Sequence, residues 1–420
     1  MTTLQELAGT PFPLGRQMIV PDADIMATGR IATSTYMSQE RFDEEVDLFK
    51  RTWINLVREE DFPEVGSWVV RDLDFTPVSV LFTRGKDNVI RAFHNVCAHR
   101  SMKLVWGESG KGGRFTCPYH AWLYASDGTL LHVPDQESFT EVNKAECSLK
   151  SIACDMWEGF VFINLNPEQS LAEFMGPLAE RLKDVPFNAY PNIVRITASL
   201  NSNWKLAMES QGEAYHVRML HAKTVSGMLS SKENPFVHPI GWEAFGAHRL
   251  GSVPRNPDFT LDPHKIVQSF AFMNTTHMVV EGADSGGFAG YVNPFASNVW
   301  GNDQYLLFPN LIFHIALSGW WIHRYFPVAP GKCRWEYVGY YKEPTSLREE
   351  FAIEYAVALN RDTLMEDNFA VEKQQQVMSP EIHPTMYYGD GEVLCRHMAA
   401  VMESALRVPN DDVPMRAAAE

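Results

Sequence analysis

The stretch NVCAHRSMKLVWGESGKGGRFTCPYHAWLY, Asn95 to Tyr124, carries two Cys/His pairs joined by a Gly-rich bridge. Cys97 and His99 form C-A-H, Cys117 and His120 form C-P-Y-H, and 17 residues separate His99 from Cys117. Short β-rich runs lead into it: SWVVRDL, PVSVLFTR and NVIRAFHNV between Gly66 and Val96. The pattern continues through AWLYASDGTLLHV, where Asp127-Gly128 is a hairpin signal, and through GFVFINL, ending near Leu165. These runs predict an antiparallel β domain built around the four side chains.

A structural zinc held by two cysteines and two histidines is one reading of such a set. The order of ligands argues against it, because zinc modules commonly draw two cysteines from one turn and here each turn supplies one of each. That order suits a [2Fe–2S] cluster with two thiolates on one iron and two imidazoles on the other, a substitution that raises the reduction potential. The stretch resembles a Rieske iron–sulfur motif: Arg100, Pro118, Trp122 and Tyr124 also match, while Ser101 and Ala121 stand where glycine is usual. Both replacements are small and are expected to be tolerated in loop packing.

A second constellation follows NWKL, in QGEAYHVRMLH, with His216 and His221. Two imidazoles plus one carboxylate, with other positions open, form the facial triad of oxygen-activating non-haem Fe(II). Residues five apart on a regular helix point about 140° apart, so a local break or π-like turn is expected over 217–220. Glu213, three residues before His216, lies on the same helical face and is placed to accept the N–H of a metal-bound imidazole.

The two motifs, in this order, resemble the catalytic α subunit of the Rieske non-haem iron aromatic-ring-hydroxylating oxygenases, over about Phe42 to Gln376. The resemblance implies that the third iron ligand is Asp367, in the stretch Glu366 to Glu372. It implies that Glu213, more often Asp in the family, links His216 to the second Rieske histidine, His120, of a neighbouring subunit. It implies a terminal oxygenase that uses O2 and electrons from NAD(P)H, delivered by a separate reductase, with or without a ferredoxin. It also implies a trimer, alone or with a small β subunit. Hydroxylation of an aromatic or other apolar organic substrate is the leading expectation, with aromatic hydrocarbon catabolism as its setting. N- or O-dealkylation with release of an aldehyde is the alternative. A Rieske electron carrier and a zinc-stabilised binding protein are the rivals outside this class, and both leave the His216, His221 and Asp367 set unused.

Length and charge narrow the remaining choices. A chain of 420 residues is long enough for two domains, each expected to have its own core. The expected fold class is α+β. An N-terminal arm over 1–44 packs on the catalytic domain, an antiparallel Rieske domain spans 45–166, and a helix-grip (START-like) catalytic domain of antiparallel sheet and helices spans 167–420. A formal charge of −16 argues against nucleic acid and anionic membrane as partners. The six cysteines are too sparse for a disulfide scaffold, and the N-terminus lacks the basic start and apolar run of a signal peptide, so the expected location is the cytoplasm. No G-x-G-x-x-G opens a helix, which is why the nicotinamide must be oxidised on another protein.

Three element readings complete the expectation. The chain from Ser38 to Val57 reads as a helix capped by Ser38. The stretch 311–343 reads as two long strands about Pro330-Gly331-Lys332, followed by a helix that Ser346 and Glu349 cap. The Gly-rich stretch carrying Gly282, Gly286, Gly287 and Gly290 reads as a mobile cover, and large apolar groups between Phe270 and Phe295, with Ile312, Trp320 and Trp321, suit an apolar substrate.

Overall fold

The structure, a computed structural model, describes residues 22–274, 288, 290–316 and 319–407. Of the expected cover around Gly282, Gly286, Gly287 and Gly290, residues 281–287 and 289 lie outside them. In chain order the strands of the first half are β1 (Arg30–Ala32), β2 (Ile54–Arg58), β3 (Ser67–Asp72), β4 (Ser79–Arg84), β5 (Ile90–His94), β6 (Ser109–Lys111), β7 (Arg114–Thr116), β8 (Leu123–Ala125), β9 (Leu130–His132), β10 (Ser151–Trp157) and β11 (Phe160–Asn164). One sheet runs β2-β11-β10-β5-β4-β3-β6, and a small one runs β7-β8-β9. β2 and β11 are buried at every position, so their sequences INLVR and FVFIN do not alternate. Asp127-Gly128 turns β8 back into β9, with Gly128 at φ 85°.

The second half adds β12 (Asn192–Leu200), β13 (Gly241–Phe245), β14 (His248–Pro254), β15 (Trp300–Leu307), β16 (Leu311–Ala316), β17 (Gly319–Ala329), β18 (Lys332–Tyr341) and β19 (Thr385–Tyr387). Its sheet runs β12-β18-β17-β16-β15-β14-β13, antiparallel throughout. The first of the two long strands expected from 311 onward is therefore two: β16 and β17 pair with each other, Ala316 opposite Gly319.

The helices are α1 (Ala23–Thr28), α2 (Gln39–Lys50), α3 (Leu171–Met175), α4 (Pro177–Arg181), α5 (Trp204–Glu209), α6 (Val217–Leu220), α7 (Ser226–Leu229), α8 (Ile266–Met273), α9 (Leu347–Val377) and α10 (Val393–Arg407). Ser38 caps α2 by accepting from the Arg41 N–H at 3.2 Å. The helix stops at Lys50, short of the expected Val57, because β2 recruits the next apolar residues as a sheet strand. The helix after Ser346 forms with Ser346 Oγ accepting from Glu349 N–H at 3.3 Å. The chain entering α1 lies on α10, where Asp22 N–H donates to Ala400 O, and β1 pairs with β19.

The expected core of the first half is present around Cys97, Cys117 and Trp122, but the two halves are not packed separately. One apolar cluster contains Val57, Val69, Phe82 and Val161 of the first sheet together with Trp204, Trp335, Leu364 and Met398 of the second half. Polar groups cross the same boundary. Buried Arg324 on β17 donates to Asn55 Oδ1 on β2 at 2.9 and 2.7 Å, and the Arg58 guanidinium lies 4.0 Å above Phe160 and 5.0 Å above Trp320. Such a boundary is continuous because neither sheet covers its own apolar face alone.

Candidate metal centres

The two Cys/His turns are built alike. Ser101 N–H donates to Cys97 O and Ala121 N–H to Cys117 O, each at 3.0 Å, while Cys97 N–H bonds Met102 O and Cys117 N–H bonds Trp122 O, each at 2.8 Å. Closing so tight a turn puts Ser101 at φ 55° and Ala121 at φ 58°, the left-handed region that favours glycine. The departures noted in the sequence thus keep the backbone that glycine would adopt.

The turns place His99 Nδ1 and His120 Nδ1 3.1 Å apart. Cys97 and Cys117 are buried behind them, and burial pushes the Cys97 thiol up. Tyr124 Oη accepts from Ala98 N–H at 3.0 Å, which leaves its own hydrogen for Cys97 Sγ at 3.3 Å. Trp122 stacks on His99 at 5.0 Å, and half-exposed Tyr119 leans on His120 at 3.8 Å. Sulfur is inside and imidazole faces out, the arrangement a thiolate/imidazole cluster needs to exchange electrons at its histidine edge.

The second set lies between α6 and α9. The single helical turn of α6 has His216 at its N-cap and His221 at its C-cap. The break expected between these histidines takes the form of helix ends on both sides, with His221 at ψ 24°, and not a π turn. His216 Nε2 and His221 Nε2 are 3.1 Å apart, and Asp367 Oδ1 lies 3.3 and 3.0 Å from them.

Each group is also held from behind. His216 Nδ1 contacts Glu213 Oε1, His221 Nδ1 lies 2.7 Å from Glu366 Oε2, and Gln211 Nε2 donates to Asp367 Oδ2 at 2.9 Å. Thr224 Oγ1 fixes Glu366 at 2.8 Å. The sequence reading missed Gln211, Glu366 as a partner of His221, and Thr224; Glu366, adjacent to Asp367, was the one with a visible signal.

This arrangement fits a cation. With both Nδ1 hydrogens directed at carboxylates, both Nε2 atoms present lone pairs, and Asp367 Oδ1 presents a third. Buried Oδ1 accordingly has no well-aimed hydrogen bond despite its two close nitrogens. Three acceptors about 3 Å apart match ligands about 2.0–2.2 Å from one ion and roughly at right angles. The electrostatics favour positive charge at the same point, where a proton competes with an ion for the same lone pairs. Burial opposes charge on His216, yet Asp367 and Glu213 raise it to about 10; burial likewise opposes the Asp367 anion, yet the two imidazoles hold it at about 2. The triangle lines a cavity of about 460 Å³ between α9 and the second sheet.

Comparison with known proteins meets this geometry. The ring hydroxylating alpha subunit (catalytic domain) family model matches residues 187–407, more than half of the chain. The chain belongs to this family. A Rieske [2Fe-2S] domain model matches residues 52–152, so the α+β fold joins an N-terminal Rieske domain to a C-terminal catalytic domain. The carnitine monooxygenase oxygenase subunit of Escherichia coli (strain K12) is 31% identical over 193 residues, 44% of this chain and 50% of that one. The biphenyl 2,3-dioxygenase subunit alpha of Rhodococcus jostii (strain RHA1) is 27% identical over 274 residues, 60% of this chain and 58% of that one. The chain spans about half the length of the curated relatives it matches. The crystal structure of naphthalene 1,2-dioxygenase from Rhodococcus sp. bound to indole shares the fold, with a TM-score of 0.73 at 20% identity, over 91% of this chain and 96% of that one. Among the described residues no helix is long and apolar enough to cross a membrane.

Proposed function

We propose that this chain is the terminal oxygenase component of a Rieske system, with Cys97, His99, Cys117 and His120 holding the [2Fe–2S] cluster and His216, His221 and Asp367 holding the mononuclear iron. The observation that carries the reading is the triangle of three lone-pair donors open to a substrate-sized cavity, since a mere electron carrier needs neither. When bound, the cluster supplies electrons and the iron supplies activation of O2. The chain does the rest. Glu213 and Glu366 fix the two imidazole planes, Gln211 fixes the Asp367 carboxylate, and the apolar wall of the cavity excludes water.

The reaction proposed is monooxygenation of a C–H bond, including one next to nitrogen, where the hydroxylated product breaks down to an amine and an aldehyde. The name of the 31% identical relative supports it, as does Glu213 in place of the more usual Asp. Ring dioxygenation is the second reading, favoured by the biphenyl enzyme's match over 60% of the chain and by Trp321, Tyr337 and Tyr341 in the cavity wall. We further propose the division 1–44, 45–166 and 167–420, electron supply from a separate reductase, a cytoplasmic location, and a trimer in which Glu213 meets His120 of a neighbouring copy.

Turnover under labelled O2 tests the reaction. One labelled oxygen in the product, with aldehyde released from N-methylated substrates, is expected. A stably hydroxylated product free of label, or aldehyde released without consumption of O2, contradicts the oxygenase reading, and a doubly labelled cis-diol replaces monooxygenation by the second reading.

A further inference from the structure

The second sheet carries, beside the cavity, a buried pair of imidazoles that belongs to neither metal set. His314 on β16 lines the cavity and is 3% exposed, and His323 on β17 is fully buried. Their ring centroids are 5.1 Å apart, and the Nε2 of each is buried with no hydrogen-bond partner among the described residues. Two such orphans on adjacent rings call for an explanation, because buried polar atoms are nearly always paired.

Donor chemistry fixes the protons along this pair. Trp335 Nε1 lies 3.1 Å from His323 Nδ1, and an indole N–H can only donate, so His323 Nδ1 accepts. Burial pushes both rings down, His323 to about 3 and His314 well below the usual histidine value, so each is neutral and carries a single N–H. The hydrogen of His323 therefore sits on Nε2, and the orphaned Nε2 of the adjacent His314 is the acceptor it lacks. Once His314 Nε2 accepts, its own hydrogen must sit on Nδ1. Because Nε2 is buried, Nδ1 is also the ring nitrogen left to meet a molecule in the cavity.

The surroundings suit a neutral ligand. His314 pairs with Gln304 in the sheet register and stacks on Trp321 at 4.9 Å. Gln304, Trp321 and Asn302 line the same cavity, Asn302 and Gln304 sharing one face of β15 because they are two residues apart. Asn302 Oδ1 is likewise buried without a partner among the described residues. This strip of imidazole and amides carries no formal charge, so it offers hydrogen bonds to an oxygen but nothing to offset a buried carboxylate.

We infer that the substrate is a neutral organic molecule bearing an acceptor oxygen, which His314 holds through Nδ1–H, the position of that hydrogen being set by Trp335 through His323. This rests on the oxygenase reading for the cavity as the substrate site, and goes beyond it in naming the polar group the site recognises. A bare hydrocarbon would leave the His314 N–H a buried donor without an acceptor, which costs affinity.

Binding to the purified, cluster-loaded protein, read by calorimetry without turnover, tests this with 1-indanone, its parent hydrocarbon indane, and indane-1-carboxylate. The ketone is expected to bind tighter than either. In His314→Leu the ratio of ketone to hydrocarbon affinity should fall about three- to tenfold, the scale of one neutral hydrogen bond. His314→Gln, whose amide reaches the Nε2 position, should lose the preference as well. His314→Asn, whose amide nitrogen stands at the Nδ1 position, should keep most of it. The Gln and Asn variants are both polar, so their contrast decides the matter even where the Leu variant fails to fold. Indane or the carboxylate binding as tightly as the ketone, a ratio unchanged in His314→Leu or His314→Gln, a ratio lost in His314→Asn, or no binding of the ketone would each overturn the inference. A ketone preference that depends on His314, with no labelled oxygen in any product, would instead defeat the oxygenase reading and leave the hydrogen-bonding site standing.

Discussion

At the scale of single residues, the turns at Ser101 and Ala121 hold positive φ that an L side chain adopts at a cost of about 1–2 kcal/mol. Ser101→Gly and Ala121→Gly should therefore leave stability unchanged or raise it by up to about 1 kcal/mol each, read from thermal melts followed at the cluster absorbance. Tyr124 acts on the cluster more directly. Its hydroxyl is free to donate to Cys97 Sγ, and hydrogen bonds to the sulfurs raise a cluster's potential. Tyr124→Phe should lower the reduction potential in a redox titration while the cluster still assembles. A third expectation concerns buried histidines that belong to neither metal set. Burial lowers His248 to about 4 and His323 to about 3. His248 accepts from Phe308 N–H through Nδ1 and donates from Nε2 to Phe174 O, which requires the neutral ring. An unfolded histidine titrates near about 6.5, so below that pH the unfolded chain binds protons that the folded one refuses. Their contribution to stability is complete above about 6.5 and is lost as pH falls toward 4. Denaturant melts should show His248→Gln with a shallower loss over that range than wild type.

At the scale of elements, the site is a product of how α6 and α9 end and cross. α6 is one turn long, which lets both of its terminal histidines face the same point, and α9 brings Glu366 and Asp367 to them from a 31-residue helix. Adjacent residues on a helix face different directions, so Asp367 completes the triangle while Glu366 reaches behind to His221. Glu366→Gln should weaken iron binding at this site by about 10–100-fold, measured by metal competition, because it loosens the orientation and basicity of His221. Much of this was legible beforehand. The ligand types and their order stood in the sequence, and alternation marked most strands. What was not legible depended on contacts between distant segments. Gln211 carries no local signal for reaching Asp367, 156 residues away. The stop of α2 at Lys50 reflects sheet pairing of β2 with β11 and not a breaker residue. The split of β16 from β17 was hidden because both strands are apolar and aromatic along their length.

At the scale of the whole molecule, the two halves share apolar packing and the buried Asn55–Arg324 contact. Heating should therefore give one cooperative transition in which cluster bleaching and loss of secondary structure coincide, and Asn55→Ala should lower both together by about 1–3 kcal/mol, the cost of leaving Arg324 short of a buried acceptor. The shared core makes the independence of the two metal sites a matter of local chemistry, in which Asp367 Oδ1 lies against the two imidazoles. Iron and acid-labile sulfide analysis, with the EPR signal of the reduced cluster, tests the central claim of two distinct centres most directly. Wild type should contain about three irons and two sulfides per chain. Asp367→Ala should fall to about two irons and two sulfides with the cluster signal intact. Zinc in place of iron and sulfide in wild type, or loss of sulfide and signal together with the third iron in Asp367→Ala, would contradict it.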